Sequence, residues 1–179
     1  MKKIILTIAY GFGFGLSPKF SGTTGAFVGL PLAVAITALH GYLWIQIIVA
    51  ALLTLLAIPI CDYAEKYSSI KDDDRIVADE YMLLPICFVG QEPVFYQLFG
   101  SEPDIIRAIL FIGMAFVISR IFDILKLYPA NRLQRAPGGY GIVLDDLFAD
   151  IYALPCIWLC NKFILIPIVL PFVNKLFAR

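Results

Sequence analysis

Five acidic side chains stand where a polar connection meets a strongly apolar segment. They come from three parts of the chain, and they are Asp79, Glu80, Asp123, Asp145 and Asp146. A charge at the centre of a membrane helix costs about 2.5–3.5 kcal/mol, so such groups mark function more often than they mark structure. Carboxylates are hard oxygen ligands for Mg²⁺ and can also act as general bases. We therefore predict that all five are catalytic or metal-binding residues.

Two basic residues flank one of these carboxylates. Arg120 and Lys126 lie three residues before and after Asp123, so a helix would place all three side chains on neighbouring positions. The charges could form self-neutralising pairs that let the helix insert, or they could set a metal-binding carboxylate beside cations for phosphate. The second interpretation is favoured because three charges exceed what pairing requires, and arginine is well suited to phosphate oxygens.

Glycine-rich segments precede two of the apolar helices. The run from Gly138 to Gly141 could expose backbone N–H groups to an anion at a helix start. The segment from residue 11 to 25 is either a flexible loop or a phosphate cradle that uses Lys19 and Thr23. We predict five phosphate-binding positions: Arg120, Lys126, Lys19, Thr23 and Gly139. The run Asp72 to Asp74 is interpreted as a solvated face, and Asp79 and Glu80 could equally be ordinary helix-start charges.

The five carboxylates can share one site only if a cation neutralises them. Mg²⁺ is the predicted cofactor because every candidate ligand is a hard oxygen. Metal chemistry of this kind suits phosphomonoester hydrolysis, in which the metal binds phosphate and acidifies an attacking water. The sequence has four cysteines and one histidine, without a CxxC pair or a cysteine-phosphatase CxxxxxR spacing, which argues against zinc and against thiol or histidine phosphatases.

Composition places these residues in a membrane protein. The 179 residues are 60% hydrophobic and only 16% charged, against about 45–50% and about 25% in soluble domains. Fourteen basic and fourteen acidic side chains leave a formal net charge of zero, which argues against nucleic-acid binding. A fold of this size could not hide so much apolar surface from water.

The apolar segments predict an all-α, polytopic membrane helix bundle of about four to five helices, with a polar site at one membrane face. Residues 42–60 and 105–125 are long enough to span. Residues 26–39 form a tilted helix, a re-entrant segment, or a span extended back to Thr23. Residues 81–89 are a weak apolar element, and residues 142–173 give one span with a kinked or interfacial tail. We treat residues 1–179 as a single domain whose N-terminus is retained.

Four stretches together resemble the phosphatidylglycerophosphatase A family of bacterial lipid phosphatases. They are GFGFGLSPKFSGTTGA (residues 11–26), IVADE (76–80), SRIFDILKLYP (119–129) and GGYGIVLDD (138–146), in the family's order. The chain departs from the family pattern at Ser21, Met82 with Leu83, Leu127 and Asp150, where proline, a small glycine-containing step, proline and glycine are usual. None of these departures removes one of the five carboxylates.

The resemblance implies Mg²⁺-dependent removal of the terminal phosphate of phosphatidylglycerophosphate, giving phosphatidylglycerol and inorganic phosphate. It also implies a phospholipid partner and a multi-pass location in the bacterial inner membrane, with the site facing the cytoplasm. The basic connection from Lys126 to Arg135 and the Lys2-Lys3 pair favour the same orientation. Two alternatives are a small transporter or ion channel, since intramembrane charges also mark ion pathways, and a non-catalytic lipid-binding protein.

Overall fold

The computed structural model describes residues 2–177, and helices are the only regular secondary structure in that range. The α-helices are α1 (Lys2–Ala9), α2 (Ser21–Ile36), α3 (Leu43–Ser68), α4 (Ala78–Leu83), α5 (Val94–Phe99), α6 (Ile105–Leu125), α7 (Ala130–Leu133), α8 (Gly139–Cys160) and α9 (Leu170–Phe177). Tight 3₁₀ turns cover Gly11–Leu16, Thr37–Leu39 and Leu84–Phe88, and a π-helical stretch, Asn161–Val169, joins α8 to α9.

Four helical segments within residues 2–177 are long and apolar enough to cross a membrane. They are Ser21–Leu39, Leu43–Ser68, Ile105–Leu125 and Gly139–Leu176. The prediction of an all-α membrane helix bundle is confirmed. Of the three interpretations of the first apolar segment, the structure selects a span extended backwards, which begins two residues before Thr23. The last segment stays helical beyond Pro155 and passes Pro167 by widening into the π-helical stretch.

Helix α3 places small residues towards the bundle and large apolar residues outside. Where α3 meets its neighbours, Ala50, Ala57 and Ala64 are buried, whereas Leu55 and Leu56 on the same helix are more than half exposed. Small side chains let helix backbones approach closely, which is how helices associate in lipid, where burial of apolar area gives little driving force. The exposed apolar belt would be costly in water and is suited to contact with acyl chains.

The weak apolar element of the sequence is the buried centre of the bundle. Helix α4 and the following 3₁₀ turn pack against α2, α3 and α8, and Leu83, Leu84 and Phe88 are fully buried. The N-terminal segment holds this region from the other side, since the Val77 N–H donates to the Ala9 carbonyl and the Tyr81 hydroxyl to the Ile8 carbonyl, both at 2.9 Å. Helix α4 is therefore fixed on every side, although it is too short to span.

Two glycines of α2 let α4 approach this closely. A Cβ on Gly29 would stand 2.7 Å from the Tyr81 carbonyl oxygen and 2.8 Å from its Cα, and a Cβ on Gly25 would overlap the Val77 side chain. Backbone cannot move aside as a flexible side chain can. The crossing of α2 and α4 thus depends on the absence of side chains at these positions.

Replacing Gly29 by alanine should destabilise the protein, because the new methyl group pushes against the backbone of α4. We expect a loss of about 1–3 kcal/mol, typical of overpacking, measured as a lower thermal unfolding midpoint in detergent. Gly113→Ala on α6 is the matched control, since a Cβ there meets nothing within 4 Å. It should be neutral or stabilising by about 0.5–1 kcal/mol. Equal midpoints for the two variants would contradict the close crossing.

Candidate active site

A polar cavity of about 310 Å³ lies at one end of the bundle, where α2, α4 and α8 begin and α6 ends. Its walls include all five carboxylates that the sequence singled out, together with Lys126, one of the three basic residues predicted to bind phosphate. The lining residues are Ser21, Gly22, Asp72, Asp73, Asp74, Ile76, Asp79, Glu80, Asp123, Ile124, Lys126, Ile142, Asp145 and Asp146. The expected convergence of three separate acidic clusters on one site is therefore present.

Arg120 forms ion pairs with carboxylates of two helices, Glu80 on α4 and Asp123 on its own helix α6. Its Nη1 atom lies 3.1 Å from Asp123 Oδ2 and 3.4 Å from Glu80 Oε2, and its side chain is only 13% exposed. Asp123 is one turn further along α6, as the three-residue spacing predicted. Arg120 does not line the cavity, so in this arrangement it orients Glu80 and Asp123 and offsets their charge.

Lys126 ends α6 and points its ammonium group into the carboxylates. Its backbone is left-handed (φ 39°), which stops the helix and turns the side chain towards α8. The Nζ atom lies 2.5 Å from Asp145 Oδ2 and 4.0 Å from oxygens of Asp123 and Asp146. Burial opposes its charge, but the carboxylates of Asp146 and Asp145 outweigh that effect and hold the pKa of Lys126 above its usual range.

The cations do not balance the acids. Five carboxylates against Arg120 and Lys126 leave a formal charge of −3 when all are ionised. Buried oxygens of Asp79 and Asp145 have no hydrogen-bond donor within residues 2–177, and the buried Oε2 of Glu80 has the 3.4 Å ion pair to Arg120 but no hydrogen bond. Burial, followed by repulsion from Glu80, raises the pKa of Asp79. Burial also raises the pKa of Glu80 to about 7, although Arg120 acts to lower it.

The donor set suits a hard divalent cation. Every group is a carboxylate, Asp79 and Asp145 each have a buried oxygen without a donor among the described residues, and the residual charge is negative. In the described part of the chain, no three Asp, Glu, His or Cys side chains already stand at metal-binding spacing. The Lys126 ammonium lies among Asp123, Asp145 and Asp146. Chemistry and charge fit Mg²⁺, and the cofactor and the roles of the individual carboxylates stay predictions.

An acidic loop, Asp72 to Asp74, forms a further wall of the cavity. The interpretation of this run from the sequence was partly wrong. Asp72 and Asp74 are exposed, as expected of a solvated face, but Asp73 is only 6% exposed. The Arg75 guanidinium donates to both Asp73 oxygens, at 2.6–3.1 Å, and this hydrogen bonding lowers the pKa of Asp73. The interpretation of the whole run as solvated was therefore wrong for Asp73. The sequence did carry one indication of this ion pair, since Arg75 follows Asp73 by two residues.

Besides Arg120, three more of the five predicted phosphate-binding residues do not line this cavity. Lys19 is exposed, and Thr23 lies on α2 beyond the lining residues Ser21 and Gly22. Gly139 packs against the Ile58 carbonyl and the Asp62 backbone of α3. The Asp62 carboxylate lies against the start of α8, so the protein's own carboxylate takes the place that was predicted for a bound anion.

Gly22 is the site residue whose role the sequence could not show. A Cβ at this position would collide with Glu80 Oε1 and stand 3.0 Å from its Cδ. The glycine lies in the first turn of α2, inside the segment that was interpreted as a loop or cradle. Its function here is to make room for a carboxylate, which no pattern in the local sequence reports.

Buried carboxylates, phosphate-compatible cations and a lipid-facing helix bundle together define a membrane-embedded lipid phosphatase, and the comparisons with known proteins agree. Residues 7–161 match the family model of phosphatidylglycerophosphatase A. The chain belongs to the phosphatidylglycerophosphatase A family, as its four sequence stretches predicted. No solved structure matches it.

Three curated relatives cover most of the chain. Phosphatidylglycerophosphatase A of Haemophilus influenzae is 32% identical over 160 residues, which are 86% of this chain and 90% of the relative. Phosphatidylglycerophosphatase A of Escherichia coli is 28% identical over 145 residues, or 80% and 76%. A putative phosphatidylinositol-3-phosphatase of Bacteroides thetaiotaomicron is 32% identical over 148 residues, or 82% and 86%.

Replacing Gly22 by alanine should reduce phosphatase activity while the fold survives. The methyl group displaces the Glu80 carboxylate, whose flexible end can move, and so weakens its approach to Arg120. We expect a loss of about tenfold to a hundredfold in kcat, the scale of a misplacement near 1 Å. Phosphate release and the thermal unfolding midpoint are measured on the same detergent-purified protein, beside Gly113→Ala. Full activity in Gly22→Ala would show that the position of Glu80 is unimportant.

Proposed function

We propose that this protein hydrolyses the terminal phosphomonoester of phosphatidylglycerophosphate, in a Mg²⁺-dependent reaction that yields phosphatidylglycerol and inorganic phosphate. The observation that supports this most is the cavity in which all five carboxylates meet Lys126, with Arg120 directly behind two of them. Family membership supports the lipid phosphomonoester as substrate, and two relatives carry that activity in their names.

Some of the five carboxylates would hold the metal, which when bound supplies charge for the phosphate oxygens and acidity for an attacking water. Lys126 is the basic residue among those that line the cavity, so its ammonium is placed to contact the phosphate and offset the charge that develops during transfer. Arg120 keeps Asp123 and Glu80 in position from behind. A carboxylate outside the metal's ligand set accepts the proton of the attacking water, and the leaving alcohol is the lipid headgroup.

The distribution of positive charge supports a cavity that faces the cytoplasm. Between residues 19 and 162 there are ten lysines and arginines, and eight lie at the helix ends or connections on the cavity side: Lys19, Lys66, Lys71, Arg75, Arg120, Lys126, Arg132 and Arg135. The remaining two, Arg107 and Lys162, lie towards the opposite side. Cytoplasmic ends of membrane helices carry the excess of lysine and arginine. We therefore propose an inner-membrane protein with this orientation.

Phosphatidylinositol 3-phosphate is a second candidate substrate, to be tested in the same assay. The Bacteroides thetaiotaomicron relative is named a putative phosphatidylinositol-3-phosphatase, and it is as similar to this chain as the Haemophilus influenzae phosphatase is. Both named lipids carry a phosphomonoester on a headgroup with hydroxyls, and the carboxylate cavity does not by itself choose between them. We place phosphatidylglycerophosphate first because the family model and two of the three relatives are named for it.

The wild-type protein in detergent micelles should release phosphate from phosphatidylglycerophosphate with Mg²⁺ and lose that activity in EDTA. Asp123→Asn should lower kcat by about a hundredfold or more, because it removes a carboxylate that pairs with both site cations. Asp104→Asn is the matched control, since Asp104 caps the start of α6 at the opposite end of that helix.

The other possible outcomes of that assay would each contradict a different part of the proposal. Release that survives EDTA would contradict the metal mechanism. Faster release from phosphatidylinositol 3-phosphate would move the substrate to the second lipid. A folded wild-type protein without phosphate release from either lipid would favour the transporter or lipid-binding alternatives.

The proposed orientation is checked by labelling single thiols with a membrane-impermeant maleimide. Lys71→Cys is on the cavity side and Glu102→Cys is in the connection at the other end of α6, and both positions are exposed. Cys156 and Cys160 are replaced by serine, and the fully buried Cys61 and Cys87 are kept. In intact spheroplasts we expect labelling at position 102, with position 71 labelled only after permeabilisation. The reverse pattern would place the cavity outside the cytoplasm.

A further inference from the structure

A second polar cluster lies in the bundle beside the proposed site. Asp150 is one helical turn beyond Asp146 on α8 and is only 4% exposed. Its Oδ1 atom accepts hydrogen bonds from Ser119 Oγ at 3.0 Å and from Cys87 Sγ at 3.1 Å. Both donors are fully buried, Ser119 on α6 and Cys87 on the 3₁₀ turn after α4. One carboxylate oxygen therefore joins α6 and α8, which both carry site residues, to the 3₁₀ turn that follows α4.

None of these three side chains lines the cavity, so they do not contact a substrate there. Ser119, however, is followed directly by Arg120. Neighbouring residues on a helix project about 100° apart, so fixing the Ser119 hydroxyl against α8 also fixes the direction in which Arg120 leaves α6. That direction decides whether the guanidinium reaches both Glu80 and Asp123.

Stability alone is a poor reason for a carboxylate in this place. No lysine or arginine nitrogen within residues 2–177 lies within 4.0 Å of Asp150, and its two donors are neutral. A buried charge without a paired cation is costly, and well-packed apolar residues are often at least as stable. What the cluster provides instead is a fixed relation between α6 and α8, since the bond to Ser119 has a defined direction and length.

We propose that Asp150 is a positioning residue, which acts through Ser119 to hold Arg120 in contact with Glu80 and Asp123. This inference rests on the proposed function, because it assigns Arg120 a part in the reaction. It goes beyond that function in naming a residue outside the cavity on which the rate depends.

The test is a double-mutant cycle between Asp150 and Arg120, with phosphate release as the readout. Asp150→Ala should lower kcat by about tenfold to a hundredfold and leave KM within about threefold. The same substitution made in an Arg120→Ala protein should cost less than about twofold, because there is then no guanidinium left to position. A residue needed only for the fold would lower activity by the same factor in both backgrounds, and that result would overturn the proposal.

Two further variants separate positioning from general damage. Asp150→Asn keeps an oxygen that can accept from Ser119, so it should recover most of the kcat lost in Asp150→Ala. Ser119→Ala should resemble Asp150→Ala. Its matched control is Thr54→Ala, which removes another buried hydroxyl from a spanning helix; within residues 2–177 that hydroxyl donates to the Ala50 carbonyl of its own helix and bonds to no other helix. Equal losses of kcat in Ser119→Ala and Thr54→Ala would also contradict the proposal.

Failure of the proposed function can be told from failure of this inference. The cycle is run on whichever of the two lipids the wild-type protein hydrolyses. If it hydrolyses neither, the proposed function fails, and the cycle is scored on thermal unfolding midpoints of the same four proteins. Coupling between positions 150 and 120 would then support the contact path, and additive midpoints would refute it.

Discussion

Repulsion between carboxylates is the constraint on which the rest of the structure depends. At an effective dielectric constant near 20, two charges 4 Å apart interact by about 4 kcal/mol, and five of them share one cavity here. The helix ends are arranged to reduce that cost. α6 stops where the Lys126 ammonium can reach α8, and its preceding turn places Arg120 between Glu80 and Asp123. The negative charge that these cations do not offset is what makes the site suited to a divalent metal.

The bundle must also bring a short polar helix into a membrane protein's centre. α4 carries Asp79 and Glu80 but is far too short to span, so it cannot be held by lipid contacts of its own. It is held by hydrogen bonds that Val77 and Tyr81 donate to carbonyls of the N-terminal segment. The glycine face of α2 also holds it, since it lets the Val77 side chain and the Tyr81 backbone approach closely. The spanning helices can then turn many of their large apolar side chains towards the lipid, because small residues at the helix contacts let the backbones approach closely.

Much of the fold and of the site was predictable, because charged residues are rare in the apolar segments of a membrane protein and therefore stand out in the sequence. The five carboxylates, the pairing of Arg120 with Asp123 and the helical spans all followed from the spacing of polar residues in an apolar chain. Asp73 and Gly22 were missed for a different reason, since their surroundings come from contacts distant in sequence. Gly139 was misassigned because a glycine before a helix has the same local pattern whether it faces an anion or a neighbouring helix, and only α3 decides between them.

The depth of the carboxylates matches the chemistry proposed for them. Asp123 lies two residues before the end of α6, and Asp145 and Asp146 lie in the second turn of α8. At about 1.5 Å per residue, all three are within about 11 Å of a helix end. The polar headgroup layer of a bilayer is about 5–7 Å thick on each side of the hydrocarbon core. A lipid whose acyl chains stay in the bilayer can therefore present a headgroup phosphate to these residues without leaving the membrane. A site at mid-membrane depth, as an ion pathway requires, would place the carboxylates several turns further along both helices.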